Sequence, residues 1–334
     1  MKNNDIQALI QKYFLQRLMA QRNVSPETIK SYRDSFRLYL RYIETRCGVP
    51  PSKMTIAQFD AEHVLGFLSH LDKERGNSTK TINNRLAALH SFAKYLIFEL
   101  PEYSGLLTRS LKVPFRKDEK RQMEFLTEDE FAAFKAACET VTALGRRDML
   151  MLLLLYNTGV RVSELVGLRL RDIHIDSQNS AAYIRILGKG RKERDVPLWK
   201  STAKYLASYL SDHAHGENSN LFTNCGNGNL TRSGVRYRLS CLQKKASEVA
   251  PSLTKKNITP HTFRHTTALR MLQSGIDIST IAIWLGHENI ITTHKYMEAD
   301  LEMKRQTLEK MGDPGCSAYH FMPDASIMVF LDSL

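Results

Sequence analysis

Apolar residues recur every three to four positions through most of the chain, and the places where that rhythm stops divide it into helices. Ile6, Leu9, Ile10, Tyr13, Phe14 and Leu18 set the first, over Ile6–Arg22. Ser25-Pro26 is a helix start, a side-chain acceptor followed by a ring that lacks the N–H a first turn leaves unused. Tyr32, Phe36, Tyr39, Leu40 and Ile43 follow before Gly48. Val64, Phe67, Leu68 and Leu71 predict a third helix over Asp60–Arg75, closed by Gly76. A fourth opens at Ser78, runs through Ile82, Leu86, Leu89, Phe92, Leu96 and Ile97, and ends at Pro101. Residues 1–107 therefore read as a four-helix domain, with Lys30, Arg33, Arg37, Lys80, Arg85 and Lys94 at outward positions.

The rhythm lapses over residues 108–125, which carry Arg109, Lys112, Arg116, Lys117, Lys120 and Arg121 around Pro114. That polar, breaker-containing stretch reads as a basic linker. A second domain, residues 126–311, begins at Thr127-Glu-Asp-Glu130, a capping box for a helix to Cys138. The continuous apolar run from Gly145 to Asn157 predicts a buried central helix, broken at Thr158-Gly159. Period-two alternation occurs in Ala182–Leu187, which with Gly188-Lys189-Gly190 and Glu193–Leu198 makes a β-hairpin. Helices over Trp199–His213 and Thr231–Ala250 follow, and then two more, from Pro260 to Gln273 and from about Ile278 to Leu285, stopped by Gly275 and Gly286. A last helix, Ala299–Met311, precedes a tail of residues 312–334 whose apolar end, Ile327–Leu331, is suited to packing on its own domain or on a neighbouring protomer. The fold class expected is mainly α, with a small β-hairpin or sheet in the second domain.

Composition sharpens this picture in two respects. A formal net charge of +12 favours a polyanionic partner, nucleic acid above all. Five cysteines without paired spacing argue for reduced thiols rather than a disulfide framework or zinc ribbon. No run is long enough to cross a bilayer, and the N-terminus lacks a signal-peptide core, so a cytoplasmic protein with no membrane partner is expected.

The chemistry gathers late in the chain. His261 and Arg264 are three apart and share a face of the helix that Thr259-Pro260 would start; His287 leaves the next helix, and Tyr296 follows on a polar segment. One pocket holding these residues offers a guanidinium, imidazoles and a phenol with no carboxylate, a set suited to gripping a phosphate and attacking it with oxygen. Taken singly, each has a plainer reading: His-x-x-Arg as solvated surface, Tyr296 as packing. His261 and His265, at i and i+4, also have metal-ligand spacing, but Arg264 lies between them and no Glu or Cys completes a set. Arg161 emerges from a buried helix, where a charge needs a partner, and Glu164 is one turn on. The basic hairpin of Arg185, Lys189, Arg191, Lys192 and Arg194 is by itself a common surface feature.

In order, Arg161, Lys189, His261, Arg264, His287 and Tyr296 resemble the active-site signature of the tyrosine recombinases of the phage-integrase and Xer-like family. Asn157-Thr-Gly-Val-Arg161-Val-Ser-Glu-Leu resembles the first-arginine box, Gly188-Lys189-Gly190 with Val196-Pro-Leu the hairpin lysine region, Pro260-His261-x-x-Arg264-His265 the second-arginine box, and Leu285-Gly-His287 to Tyr296 the nucleophile segment. The resemblance spans about Thr127 to Met311; the first domain resembles the family's core-binding domain in character only. It implies strand cleavage and rejoining through a 3′-phosphotyrosyl intermediate, with Tyr296 as nucleophile, Arg161, Arg264, His261 and His287 around the phosphate, Lys189 as general acid and Glu164 in support. DNA contacts are expected from Arg109, Lys112, Arg116, Lys117, Arg191 and Lys192. No metal or other cofactor is implied. The partners implied are double-stranded DNA with paired sites and three further protomers in a tetramer, for which the tail is a candidate contact. A type IB-like topoisomerase and a non-catalytic DNA-binding protein of the same fold are the rival readings.

Overall fold

The computed structural model describes residues 6–117, 123–175, 182–188, 192–211, 216, 218–226, 228–287 and 293. The chain divides into two compact units, residues 1–121 and 122–334.

In the first unit, α1 (Ile6–Lys12) passes directly into a π-helical segment, Tyr13–Gln21. Helix α2 (Pro26–Cys47) starts where Ser25 Oγ accepts from Thr28 N, and it ends at Gly48 in the left-handed conformation. Asp60 and Ser78 cap α3 (Ala61–Lys73) and α4 (Thr79–Glu99) in the same way, each side chain satisfying an N–H that the first turn leaves open. The inward stripes meet in an aromatic-rich core. Tyr13 and Phe36 each pack edge-on to Phe92 at 5.1 Å between ring centres, and Tyr39 packs edge-on to Phe67 at 5.1 Å.

A fifth helix, α5 (Ser104–Leu111), joins this unit, and Leu107 and Val113 are buried in its core. Part of the stretch expected to be linker is therefore structured. Asn83 also accepts from Arg116 N and donates to Arg116 O, at 2.9 and 2.8 Å. The helix is only eight residues long, too short for its periodicity to outweigh Pro114 just beyond it. Among the residues expected to touch DNA, Arg109, Lys112 and Lys117 are exposed, whereas Arg116 is partly buried and paired with Asp72 at 2.7 Å.

The second unit is built around α7 (Ala143–Thr158), apolar on nearly every side, against which α9 (Lys200–Ser211) and α11 (Pro260–Gln273) pack. The Thr127–Glu130 capping box starts α6 (Glu128–Ala136), and Phe131 stacks on Tyr156 of α7 at 3.6 Å. After α8 (Val162–Gly167) come three antiparallel strands in the order β1 (Ile173–Ile175), β2 (Ala182–Leu187), β3 (Glu193–Pro197). Ile184 of β2 pairs with Ile173 on one side and Val196 on the other. The strand β1 that widens the expected hairpin is three residues long, too short for alternation to reveal. Helix α10 (Arg232–Val249) and finally α12 (Ile278–Leu285) complete the described elements. No described helix is long and apolar enough to cross a membrane.

Candidate active site

The site is organised by the end of α12. Gly286 takes a left-handed φ of +64°, its N–H bonds Ile283 O and the His287 N–H bonds Ala282 O, so the helix closes in one residue. The carbonyls of the last turn have no partner within the helix, and three consecutive ones each receive an arginine. Arg194 Nε donates to Trp284 O at 3.0 Å, Arg264 Nη2 to Leu285 O at 2.6 Å, and Arg161 Nη2 to Gly286 O at 2.9 Å. The negative end of the helix dipole thus faces three guanidiniums.

Each arginine arrives from a different element for a local reason. Arg161 is the N-cap of α8, in extended conformation just after Gly159 ends α7 with φ +61°. Arg264 lies in the second turn of α11, which Thr259 caps and Pro260 opens, and it is 2% exposed. Its Nη1 donates to Gly159 O at 2.8 Å, tying α11 to the end of α7. Arg194 is on β3, on the same face as the buried Val196 two residues on.

Glu164 is shared between two of them. Its Oε1 accepts from Arg161 Nη1 at 2.8 Å and from Arg194 Nη1 at 3.3 Å; its Oε2 accepts from Arg194 Nη2 at 2.7 Å and from the Arg161 backbone N–H at 3.0 Å. Burial works to raise the pKa of this carboxyl, but the bonds from Arg194 and Arg161 outweigh it and hold the group below its ordinary value. Among the described residues, the cluster is three guanidiniums against one carboxylate, an environment that attracts an anion.

His287 follows directly, with Nδ1 2.8 Å from Thr293 Oγ1. Burial, then Arg264, Arg161 and Arg194, lower its pKa to about 4, so the ring is neutral at pH 7. His265 is likewise lowered to about 4 by burial, His261 and Arg264. The exposed His261 stacks its ring on His265 at 5.5 Å and 8°. As neutral rings, His265 and His287 are hydrogen-bonding groups rather than additional charges.

Of the residues singled out in the sequence, the structure brings Arg161, Glu164, Arg264 and His287 together, with His261 in the first turn of α11. Lys189, Arg191 and Tyr296 lie outside the described residues, as does the tail, and Lys192 is exposed beside the hairpin. By sequence alone Arg194 reads as part of a basic surface and Thr293 has no role. The signal for Arg194 was present: alternation within β3 puts it on the inward face, where a cation requires a partner.

The sequence profile of the phage integrase family matches residues 124–303, and that of the phage integrase N-terminal SAM-like domain matches residues 11–99. "Putative integrase/recombinase y4rC" of Sinorhizobium fredii is 40% identical over 333 residues, covering 100% of this chain and 99% of that protein. Tyrosine recombinase XerC of Pelotomaculum thermopropionicum is 33% identical over 306 residues, covering 89% and 95%. In fold, the chain resembles the XerH site-specific recombinase bound to palindromic difH substrate, with a TM-score of 0.68 at 21% identity, covering 86% of this chain and 81% of that one. With a family match over most of the second unit and relatives spanning nearly the whole length, the chain belongs to the phage integrase family and is a tyrosine recombinase.

Proposed function

We propose that this protein is a site-specific recombinase of double-stranded DNA, acting at paired sites in the cytoplasm as a tetramer. Tyr296 Oη attacks the phosphorus of one strand, its proton leaves to a nearby base, and the bond to the 5′ oxygen breaks. Lys189 supplies the proton to that departing oxygen. The resulting 3′-phosphotyrosyl bond keeps the energy of the phosphodiester, and attack by the 5′ hydroxyl of another strand reverses the step with exchanged partners.

The observation that carries this reading is the row of arginines on the last carbonyls of α12, directly before His287. A phosphodiester has one negative charge, and attack adds to it. Arg161 and Arg264 are anchored before substrate arrives, so their favourable interaction grows as the charge develops, without a cost of reorganisation. His287 adds a hydrogen bond as a neutral ring, and His261 adds another. Glu164 restrains Arg161. Exposed Arg109, Lys112, Lys117 and Lys192, together with Arg191, hold the DNA backbone in register.

The test is a duplex carrying a nick close to the cleavage site, so that a short leaving strand diffuses away and traps the intermediate. Wild-type protein should form a covalent adduct resistant to denaturant, and Tyr296→Phe should form none. An adduct with Tyr296→Phe removes the nucleophile assignment. Relaxation of supercoiled DNA without exchange between two sites favours a topoisomerase instead, and DNA binding with no adduct favours a non-catalytic protein.

A further inference from the structure

The two arginines on Glu164 are not equivalent. The Arg194 side chain is 11% exposed and Glu164 6%, whereas Arg161 is 32% exposed. Arg194 uses three nitrogens: Nη1 and Nη2 span both carboxylate oxygens, and Nε takes the Trp284 carbonyl. Arg161 gives Glu164 only Nη1 from its side chain and turns Nη2 to Gly286 O. Side chain to side chain, the buried carboxylate thus takes two bonds from Arg194 and one from Arg161, and the Arg161 guanidinium is the more exposed of the two.

We propose that Arg194 is a positioning residue for the strand-cleavage reaction: by engaging both oxygens of Glu164 and the end of α12, it prevents Glu164 from neutralising Arg161 and drawing it inward. This rests on the reading of Arg161 as a phosphate ligand. Without Arg194, Glu164 has Arg161 as its remaining ionic partner among the described residues. A buried carboxylate pairs strongly with whatever cation is left, so Arg161 closes onto it and presents less charge to the phosphate. Arg194 also approaches the backbone of Gly188, since a Cβ built there would lie 3.4 Å from Arg194 Nη1 and 3.8 Å from Glu164 Oε1.

A purely structural ion pair predicts something different: Arg194 variants lose stability, and further loss of Glu164 makes matters worse. The positioning role predicts rescue, because a neutral partner no longer competes for Arg161. The experiment compares Arg194→Met, Arg194→Lys and the double variant Arg194→Met/Glu164→Gln with wild type. It uses single-turnover cleavage of the nicked duplex at saturating protein, with thermal midpoints measured alongside. Arg194→Met should slow cleavage about 100-fold, the scale of one misplaced charge-stabilising group, with DNA affinity changed less than about threefold. The double variant should recover about tenfold of that loss, and Arg194→Lys should fall between wild type and Arg194→Met.

Cleavage by Arg194→Met at the wild-type rate overturns the proposal, as does a double variant no faster than the single one. If wild-type protein forms no adduct at all, the functional reading fails instead, and the proposal is decided by the ¹⁵N side-chain signal of Arg161. That signal should shift in Arg194→Met and return towards its wild-type position in the double variant; an unmoved signal overturns it.

Discussion

Gly286 offers a test of how tightly the α12 terminus is bound to the site. It sits at φ +64°, and a Cβ there would lie 2.8 Å from Arg194 Nη1, 3.1 Å from its Cζ and 3.3 Å from its Nε. Arg194 has little room to yield, being held by Glu164 and Trp284 O. Gly275, which follows α11, has an equally left-handed φ of +78° but nothing within 4 Å of its Cβ position. Gly275→Ala therefore reports the backbone cost alone, about 1–2 kcal/mol for an L-residue in this region. Gly286→Ala should cost that amount plus about 1–3 kcal/mol for displacing a packed, pinned group. Both tryptophans, Trp199 and Trp284, belong to the second unit, so their fluorescence during urea denaturation follows that unit. Displacing Arg194 and the Gly286 carbonyl that orients Arg161 should also slow strand cleavage more than about tenfold, equivalent to some 1.4 kcal/mol of transition-state stabilisation. Gly275→Ala should cleave as wild type does. Equal stability losses and equal cleavage rates for the two variants would refute the claim that the three-arginine row is a fixed structure.

Two further predictions use other parts of the chain. His265 and His287 both titrate near pH 4 in the folded protein against an ordinary 6.5, so between these values the unfolded chain binds protons that the folded chain does not. Stability should be flat above pH ~6.5 and fall as the pH drops towards 4; urea midpoints measured from pH 8 to 4.5 check this, and a His265→Gln/His287→Gln variant should show a shallower fall. The lowered carboxyls of Glu130 and Glu164 contribute their losses only below the ordinary 4.5, outside most of that window. In the basic stretch, alanine at the exposed Lys112 and Lys117 should each reduce the slope of log affinity against log salt, by about 0.9 for every phosphate that is no longer neutralised. Arg116→Ala, which removes a partner of Asp72, should change that slope less; the opposite ranking contradicts the roles given to these side chains.

The helices were legible because burial on one face leaves a period in the chain, and because their ends carry local chemistry. Ser25, Ser78, Thr127 and Thr259 each cap the helix they were expected to open. What escaped were elements too short to repeat a pattern: α5, which claimed part of the expected linker for the first unit, and β1, which widened a hairpin into a sheet. The residue types and order of Arg161, Arg264 and His287 were likewise readable, since local sequence can carry a signature. Their common anchorage was not. Bonds from Arg194, Arg264 and Arg161 to the carbonyls of residues 284, 285 and 286 span 90, 21 and 125 positions along the chain. A backbone carbonyl is the same in every residue, so nothing in the sequence marks which ones will be left open, or which cations will reach them. By itself the sequence determined the helices and the chemical groups; the packing of α7, α8, α11, α12 and β3 decided that Glu164 is shared by two arginines, Arg161 the more exposed of them.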